Sequence, residues 1–215
     1  MQLVSCIMST INNLVTEYFP EASLLASGFN GSVFSINEST VIKAVDSALF
    51  WNTKDGCEPV DKLAAEWANK YNNLVVNFMD HIHISNKEGD CMGHLFVMER
   101  VFPCLPTAFS VDELMSAIDV AEQELEQLWN SGWAHCDLKR PDFIKKAYNH
   151  TVDDILFNNI VLTEVHGKCV IRLIDVGNSN LEQYDEDDEI LEHIDKDKAD
   201  WEEFKLWLLD YPRQH

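Results

Sequence analysis

The sequence of 215 residues lacks several features that would place it in a familiar class. No apolar run approaches the roughly 20 residues that cross a bilayer, so we expect no membrane span. The first residues lack a basic segment followed by a cleavage site, so we expect no signal peptide. None of the 6 cysteines forms a CxxC pair, which argues against zinc-finger and thioredoxin-like sites. We therefore expect reduced thiols and a cytoplasmic protein.

Basic residues are scarce as well. The chain has 16 Lys and Arg against 37 Asp and Glu, which gives a formal net charge of -21. Such a surface repels nucleic-acid backbones and anionic membranes, so we expect neither as a partner. It is compatible with a protein substrate or partner that has a basic surface. The acidity is concentrated between Glu182 and Glu203, a run that is typical of a solvated helix face or a mobile segment.

Apolar residues make up 46% of the chain, enough for a hydrophobic core, and their spacing predicts an α+β fold. Ser110 and Glu113 have the spacing of a capping box at the start of a long helix. Two short apolar runs joined at Gly167 predict a β-hairpin. The predicted helices are Ile7–Tyr18, Val60–Phe78, Val111–Ser131 and Ala199–Leu209. The predicted strands lie in Leu24–Ile36, Thr40–Val45, Leu95–Val101, Ile160–Val165 and Cys169–Ile174.

Two further segments are predicted to be loops. Asn52–Pro59 is polar and has no helical or strand periodicity. His81, His83 and His94 lie near one another in the sequence, but no carboxylate or Cys pair accompanies them at ligand spacing. We therefore expect these histidines in a surface loop rather than in a metal site.

A glycine-containing turn and a lysine form the first candidate site. Gly28 and Gly31 lie between β-rich residues, and a turn without side chains lets backbone N–H groups approach phosphate oxygens. Lys43 follows two apolar strand residues, and a lysine is seldom buried without a charged partner. The next predicted helix contains Glu66, which we expect to be that partner. Glu58 is a weaker candidate.

These residues resemble the glycine-rich loop and the strand lysine of protein kinases. The loop pattern runs from Ala26, which stands where the first glycine of the family would be, to Val33. A second segment, His135-Cys136-Asp137-Leu138-Lys139, resembles the His-Arg-Asp-Leu-Lys catalytic loop, with cysteine in place of arginine. A third, Asp175-Val176-Gly177, resembles the Asp-Phe-Gly metal-binding turn.

The resemblance implies ATP and Mg²⁺ as cofactors and a role for each matching residue. Asp137 would accept the proton of the attacking hydroxyl, and Lys139 would contact the γ-phosphate. Asp175 would bind Mg²⁺, with either Asn159 or Asp142 as a second ligand. The binding residues for the nucleotide would be the turn residues Ala26, Gly28, Gly31 and Val33, the pair Lys43 and Glu66, and the hinge residues Met98, Glu99 and Val101.

The resemblance also implies a two-lobed protein-kinase-like fold. A β-rich N-lobe would cover residues 1–101, and a truncated, mainly helical C-lobe would cover residues 102–215, because no Ala-Pro-Glu motif follows Gly177. Similar compactness is found in the miniature kinases that bacterial pathogens inject into the host cytoplasm. It is also found in the small kinase of the KEOPS complex and in heptose kinases, whose anionic substrate suits this acidic chain poorly.

Three functions are compatible with the motifs. The first is an atypical Ser/Thr protein kinase, since Lys43, Asp137, Lys139 and Asp175 are all retained. The second is a pseudokinase-like binding module, which the substitutions at Cys136 and Val176 favour. The third is a small-molecule kinase of the aminoglycoside or sugar type, which generally lacks the lysine after the catalytic aspartate.

Overall fold

The computed structural model describes residues 13, 15–28, 31–46, 48–54, 56–86, 88–138, 159–184 and 189–214. Within these ranges the fold is mixed α+β, with a β-rich sheet and several helices. The chain divides into two compact units. The first consists of Met1–Leu63 with Asn77–Arg100, and the second of Ala64–Val76 with Val101–His215.

The first unit is built on a five-stranded antiparallel sheet. Its strand order is β1-β2-β3-β7-β6, so β3 lies in the centre, and β4 and β5 form a separate hairpin. Nearly every residue of β3 is buried, as expected of a central strand with both faces covered. The strands are β1 Ser23–Gly28, β2 Gly31–Ser35, β3 Thr40–Val45, β4 Phe50–Thr53, β5 Gly56–Pro59, β6 Phe78–Ser85 and β7 Cys91–Glu99.

The core of the first unit joins this sheet to a short helical turn at residues 15–18. Val15 from the turn is fully buried with Phe34, Ile42 and Leu95 from three different strands. The helix α1, Val60–Ala68, begins directly after β5. The division between the two compact units falls within α1.

The second unit combines two long helices with short strands. The helices are α2 Val111–Asn130 and α3 Ile190–Gln214, and the strands are β8 Trp133–Ala134, β9 Ile160–Val165, β10 Lys168–Leu173 and β11 Asn180–Leu181. β9 pairs with β10, and β8 pairs with β11. Apolar residues at helical spacing cover one face of each helix and are fully buried, among them Leu114 and Leu125 on α2 and Phe204 and Leu208 on α3.

Several predicted elements are confirmed. The strand Thr40–Val45, the hairpin around Gly167, the helix with its capping box at Ser110, and the glycine break between β1 and β2 all occur. All five cysteines in the described ranges are free thiols. Among the described helices, none is both long and apolar enough to cross a membrane.

Three predictions are wrong. The predicted helix Val60–Phe78 ends at Ala68, because Leu74 and Val76 instead exchange backbone hydrogen bonds with Leu173, and these bonds form a parallel β-bridge at Val75. The segment predicted as a polar loop, Asn52–Pro59, lies in the β4–β5 hairpin. The histidines expected in a surface loop are on two paired strands, His81 and His83 on β6 and His94 on β7. The last helix is longer than the predicted Ala199–Leu209, because α3 begins at Ile190 and includes much of the acidic run.

Candidate functional site

The predicted phosphate-binding turn falls between β1 and β2 of the first unit, and its residues 29 and 30 lie outside the described ranges. Gly28 pairs with Gly31, and Ala26 pairs with Val33. Gly31 has a φ of 148°, and a Cβ atom there would clash with the backbone carbonyl oxygen of Ala44 on β3. Packing against β3 therefore requires glycine at this position, independently of any phosphate.

Lys43 is a buried cation at the centre of the sheet, with 9% of its surface exposed. Its Nζ lies 2.8 Å from Oδ1 of Asp61, a buried residue in the first turn of α1. Glu66, the predicted partner, is exposed, so the carboxylate that pairs with Lys43 is Asp61 instead. The physical reason is helical geometry, since two side chains five residues apart project roughly 140° from each other. The weaker candidate, Glu58, pairs with Lys62 at 2.8 Å.

The predicted adenine-binding segment begins at the end of β7. The backbone N–H of Glu99 donates to the carbonyl oxygen of Asn77 at 2.9 Å. The Glu99 carboxylate accepts hydrogen bonds from the backbone and side-chain N–H groups of Asn77, at 3.1 and 2.9 Å. Met98 is half-buried beside it. The N–H groups of Glu99 and Arg100 are thus engaged within the fold, and the adenine-binding role of Met98, Glu99 and Val101 stays a prediction.

The segment that resembles the catalytic loop lies in the second unit, and one buried carboxylate holds its backbone. Asp197 on α3 is fully buried and accepts hydrogen bonds from the backbone N–H groups of His135, at 2.5 Å, and Cys136, at 3.0 Å. Nε2 of His135 lies 3.0 Å from the carbonyl oxygen of Ile174. Burial raises the pKa of Asp197, while the neighbouring His135 ring and the two N–H donors oppose this rise.

Asp137 is in contact with Asn159 across the same unit. Nδ2 of Asn159 donates to the carbonyl oxygen of Asp137 at 2.7 Å and to its Oδ2 at 3.2 Å. Asn159 is 2% exposed, and its backbone carbonyl oxygen accepts a hydrogen bond from the N–H of Ile174. Because the amide nitrogen of Asn159 makes these bonds, its amide oxygen is the atom suited to bind a hard cation such as Mg²⁺.

Two non-glycine residues of this region have a left-handed backbone. The φ angle is 65° at Cys136 and 56° at Asp175. Such residues cost roughly 1–3 kcal/mol each and persist only where their surroundings fix them, which is common at functional sites. At Asp175 the neighbouring residue Val176 is buried and anchors the turn. The half-buried Asp175 is therefore held in a defined conformation at the end of β10.

Two of the predicted site residues, Lys139 and Asp142, lie outside the described ranges. The choice between Asn159 and Asp142 as the second metal ligand therefore stays open. Among the described residues, no group of three His, Cys, Asp or Glu side chains could hold a metal ion. The predicted Mg²⁺ site is not a group of that kind, because its described ligands are one carboxylate, that of Asp175, and one side-chain amide, that of Asn159.

Sequence reasoning missed two residues that contact the candidate loop. Asp197 lies in the acidic run that was interpreted as solvated, but it falls on the same helical stripe as the buried residues Ile194 and Trp201. The sequence signal for Asp197 was its position on the apolar face of a helix, where a carboxylate is expected to be buried with a partner. Asn178, whose Nδ2 lies 3.3 Å from Oδ2 of Asp137, follows the predicted metal turn and carried no signal of its own.

No protein-family model matches the chain, and no curated protein is significantly similar to it in sequence. The resemblance to protein kinases therefore rests on the short motifs described above.

Proposed function

We propose that the protein is an ATP-dependent protein kinase that transfers the γ-phosphate to Ser or Thr hydroxyl groups. The observation that carries this proposal is the arrangement around Asp137. The backbone just before it is bound to the buried Asp197, and its carboxylate contacts the buried amide of Asn159. A group that receives a proton during catalysis must be held in a fixed orientation, and contacts that restrain Asp137 therefore support the proposal.

The side chains suit the proposed cofactors. The Asp175 carboxylate and the Asn159 amide oxygen are hard oxygen donors of the kind that Mg²⁺ prefers. Lys43, oriented by Asp61 at 2.8 Å, is a fixed cation suited to nucleotide phosphates. When bound, Mg-ATP would supply the phosphoryl group and neutralise its developing negative charge.

Asp137 has the central role in the proposed reaction. Its carboxylate would orient the acceptor hydroxyl and take up the proton as the hydroxyl oxygen attacks the γ-phosphoryl group, with ADP as the leaving group. Cys136 stands where related kinases have an arginine that pairs with a phosphorylated loop, so we expect activity without prior phosphorylation. The net charge of -21 favours a protein acceptor with a basic surface.

Calorimetric titration with Mg-ATP, followed by measurement of γ-phosphate transfer on the same samples, tests the proposal. We expect Asp175→Ala to weaken Mg-ATP binding by at least about tenfold, because it removes a metal ligand. Asp137→Asn should bind Mg-ATP normally and lower transfer by about 10²- to 10⁴-fold, as expected for loss of a catalytic base. Asp119→Ala, which removes an exposed carboxylate of α2, is the matched control and should change neither quantity.

The outcomes separate the candidate functions. Wild-type protein that binds no nucleotide would contradict the kinase proposal and favour a binding module that acts through a protein partner. Binding with transfer to a small sugar or aminoglycoside, and none to protein, would favour the small-molecule kinase.

A further inference from the structure

Asp137 has a second amide neighbour besides Asn159. Nδ2 of Asn178 lies 3.3 Å from Oδ2 of Asp137, the same oxygen that Asn159 contacts at 3.2 Å. The orientation of the Asn178 amide follows from chemistry, since the reverse orientation would place two oxygens against each other. Both amides bind the same carboxylate oxygen, so Oδ1 takes part in neither of these two hydrogen bonds.

The two asparagines differ in their surroundings. Asn159 is buried and also bonds to the backbone, so its removal would disturb the fold. Asn178 is exposed, and its side-chain hydrogen bond within the described residues is to the Asp137 carboxylate. A solvent-exposed side chain contributes little to packing, so the contact with Asp137 can be removed without leaving a cavity.

The backbone nevertheless holds Asn178 in place. The N–H of Ser179 donates to the carbonyl oxygen of Val176 at 3.0 Å, which closes a tight turn with Asn178 in its third position. Val176 and Ser179 are both buried, with 4% of each exposed. Asn180 then pairs with Ala134 in the β8–β11 ladder. The exposed amide is thus attached to a fixed turn within reach of the carboxylate.

We propose that Asn178 is a positioning residue that orients the Asp137 carboxylate toward the acceptor hydroxyl. This inference rests on the proposed kinase function. Asn178 touches neither of the proposed ligands of Mg²⁺ in any described hydrogen bond, so its effect is on the transfer step and not on nucleotide binding. A small misorientation of a catalytic group lowers the rate without weakening the binding of a substrate that the group does not contact.

Three variants of Asn178 test this role. Asn178→Ala should lower kcat by about tenfold, and Asn178→Asp, which has the same shape but repels Asp137, by more. Asn178→Gln keeps the amide and should retain most of the activity. The KM for ATP and the calorimetric Kd for Mg-ATP should stay within about twofold of wild type in all three. Asn130→Ala, at the exposed end of α2, is the matched control.

Each outcome decides the inference. If Asn178→Ala and Asn178→Asp transfer phosphate at the wild-type rate, the positioning role is overturned while the kinase function stands. If nucleotide affinity or the melting temperature falls in parallel with kcat, the residue acts on binding or folding and the role is also overturned. If the wild-type protein binds Mg-ATP but transfers no phosphate, the proposed function fails, and the positioning role fails with it.

Discussion

His94 is a buried imidazole in the first unit with 3% of its surface exposed. Its Nδ1 lies 3.0 Å from Nε2 of His81, and its ring is stacked on His83 at 5.2 Å between centroids. Burial, and after it the charges of His81 and His83, lower the pKa of His94 to about 4, and Asp61 opposes the shift. The ring is therefore neutral near pH 7.

This histidine makes stability dependent on pH. The unfolded chain binds a proton at His94 below pH 6.5, whereas the folded protein binds it only near pH 4, so stability is lost as the pH falls through this interval. The loss attributable to this group reaches about 3 kcal/mol. We expect His94→Phe, which keeps a stacking ring, to flatten the dependence in urea titrations between pH 7 and 4. The control His193→Gln, on α3, should behave like wild type, and an unchanged slope in His94→Phe would contradict the assignment.

The candidate site could be predicted only where a residue belongs to a local motif. The sequence points to Asp137 and Asp175 through the motifs that their neighbours form, and their roles stay predictions. Asp61 and Asp197 were missed, because each acts on a residue distant in the sequence, and their roles depend on which helix face meets the sheet or the loop. Such pairing is set by tertiary packing, which single-sequence patterns do not contain.

At the scale of elements, the capping box of α2 is the clearest local determinant of structure. The Ser110 hydroxyl accepts a hydrogen bond from the N–H of Glu113 at 3.3 Å, and the Glu113 carboxylate accepts one from the N–H of Ser110 at 2.8 Å. Both bonds satisfy N–H groups that a helix end otherwise leaves without an intrahelical partner. The Ser110 hydroxyl also donates to the Glu113 carboxylate at 2.7 Å, and this bond, together with the one from the Ser110 N–H, lowers the pKa of Glu113.

We expect Ser110→Ala to destabilise the second unit by about 1 kcal/mol, because it removes the N-cap acceptor. Chemical denaturation monitored by circular dichroism measures this change. Ser116→Ala, at an exposed interior position of the same helix, is the matched control and should be neutral or slightly stabilising, since alanine has the higher helix propensity. Equal effects of the two substitutions would show that the cap does not limit stability.

The elements predicted correctly are those whose signals are local. The capping box, the turn at Gly167 and the apolar run of β3 each determine structure from adjacent residues. The helix predicted to Phe78 was too long because apolar spacing continues past Ala68, although those residues form strand-like bonds with β10. The β4–β5 hairpin was missed because Asn52–Pro59 shows no strand periodicity in the sequence, and only its pairing gives it strand structure.

At the scale of the whole molecule, the excess of negative charge is the dominant electrostatic feature. With 37 acidic and 16 basic side chains, at least 21 carboxylates have no basic residue of their own with which to pair (37 minus 16). Mutual repulsion among them destabilises the compact state relative to the expanded unfolded chain. Among the described ion pairs, that of Lys43 with Asp61 is buried and is therefore screened little by salt.

We accordingly expect added salt to stabilise the protein near neutral pH. Raising NaCl from about 10 mM to about 150 mM shortens the Debye length from about 30 Å to about 8 Å and screens the repulsion between carboxylates. Differential scanning calorimetry at pH 7.5 should show the melting temperature rising by a few degrees, since each kcal/mol corresponds to about 2–4 °C for a chain of this size. At pH 4.5, near the sequence pI of about 4.5, net charge is small and the same salt increment should have little effect. A melting temperature that falls with salt at pH 7.5 would instead show that attractive surface ion pairs outweigh the repulsion.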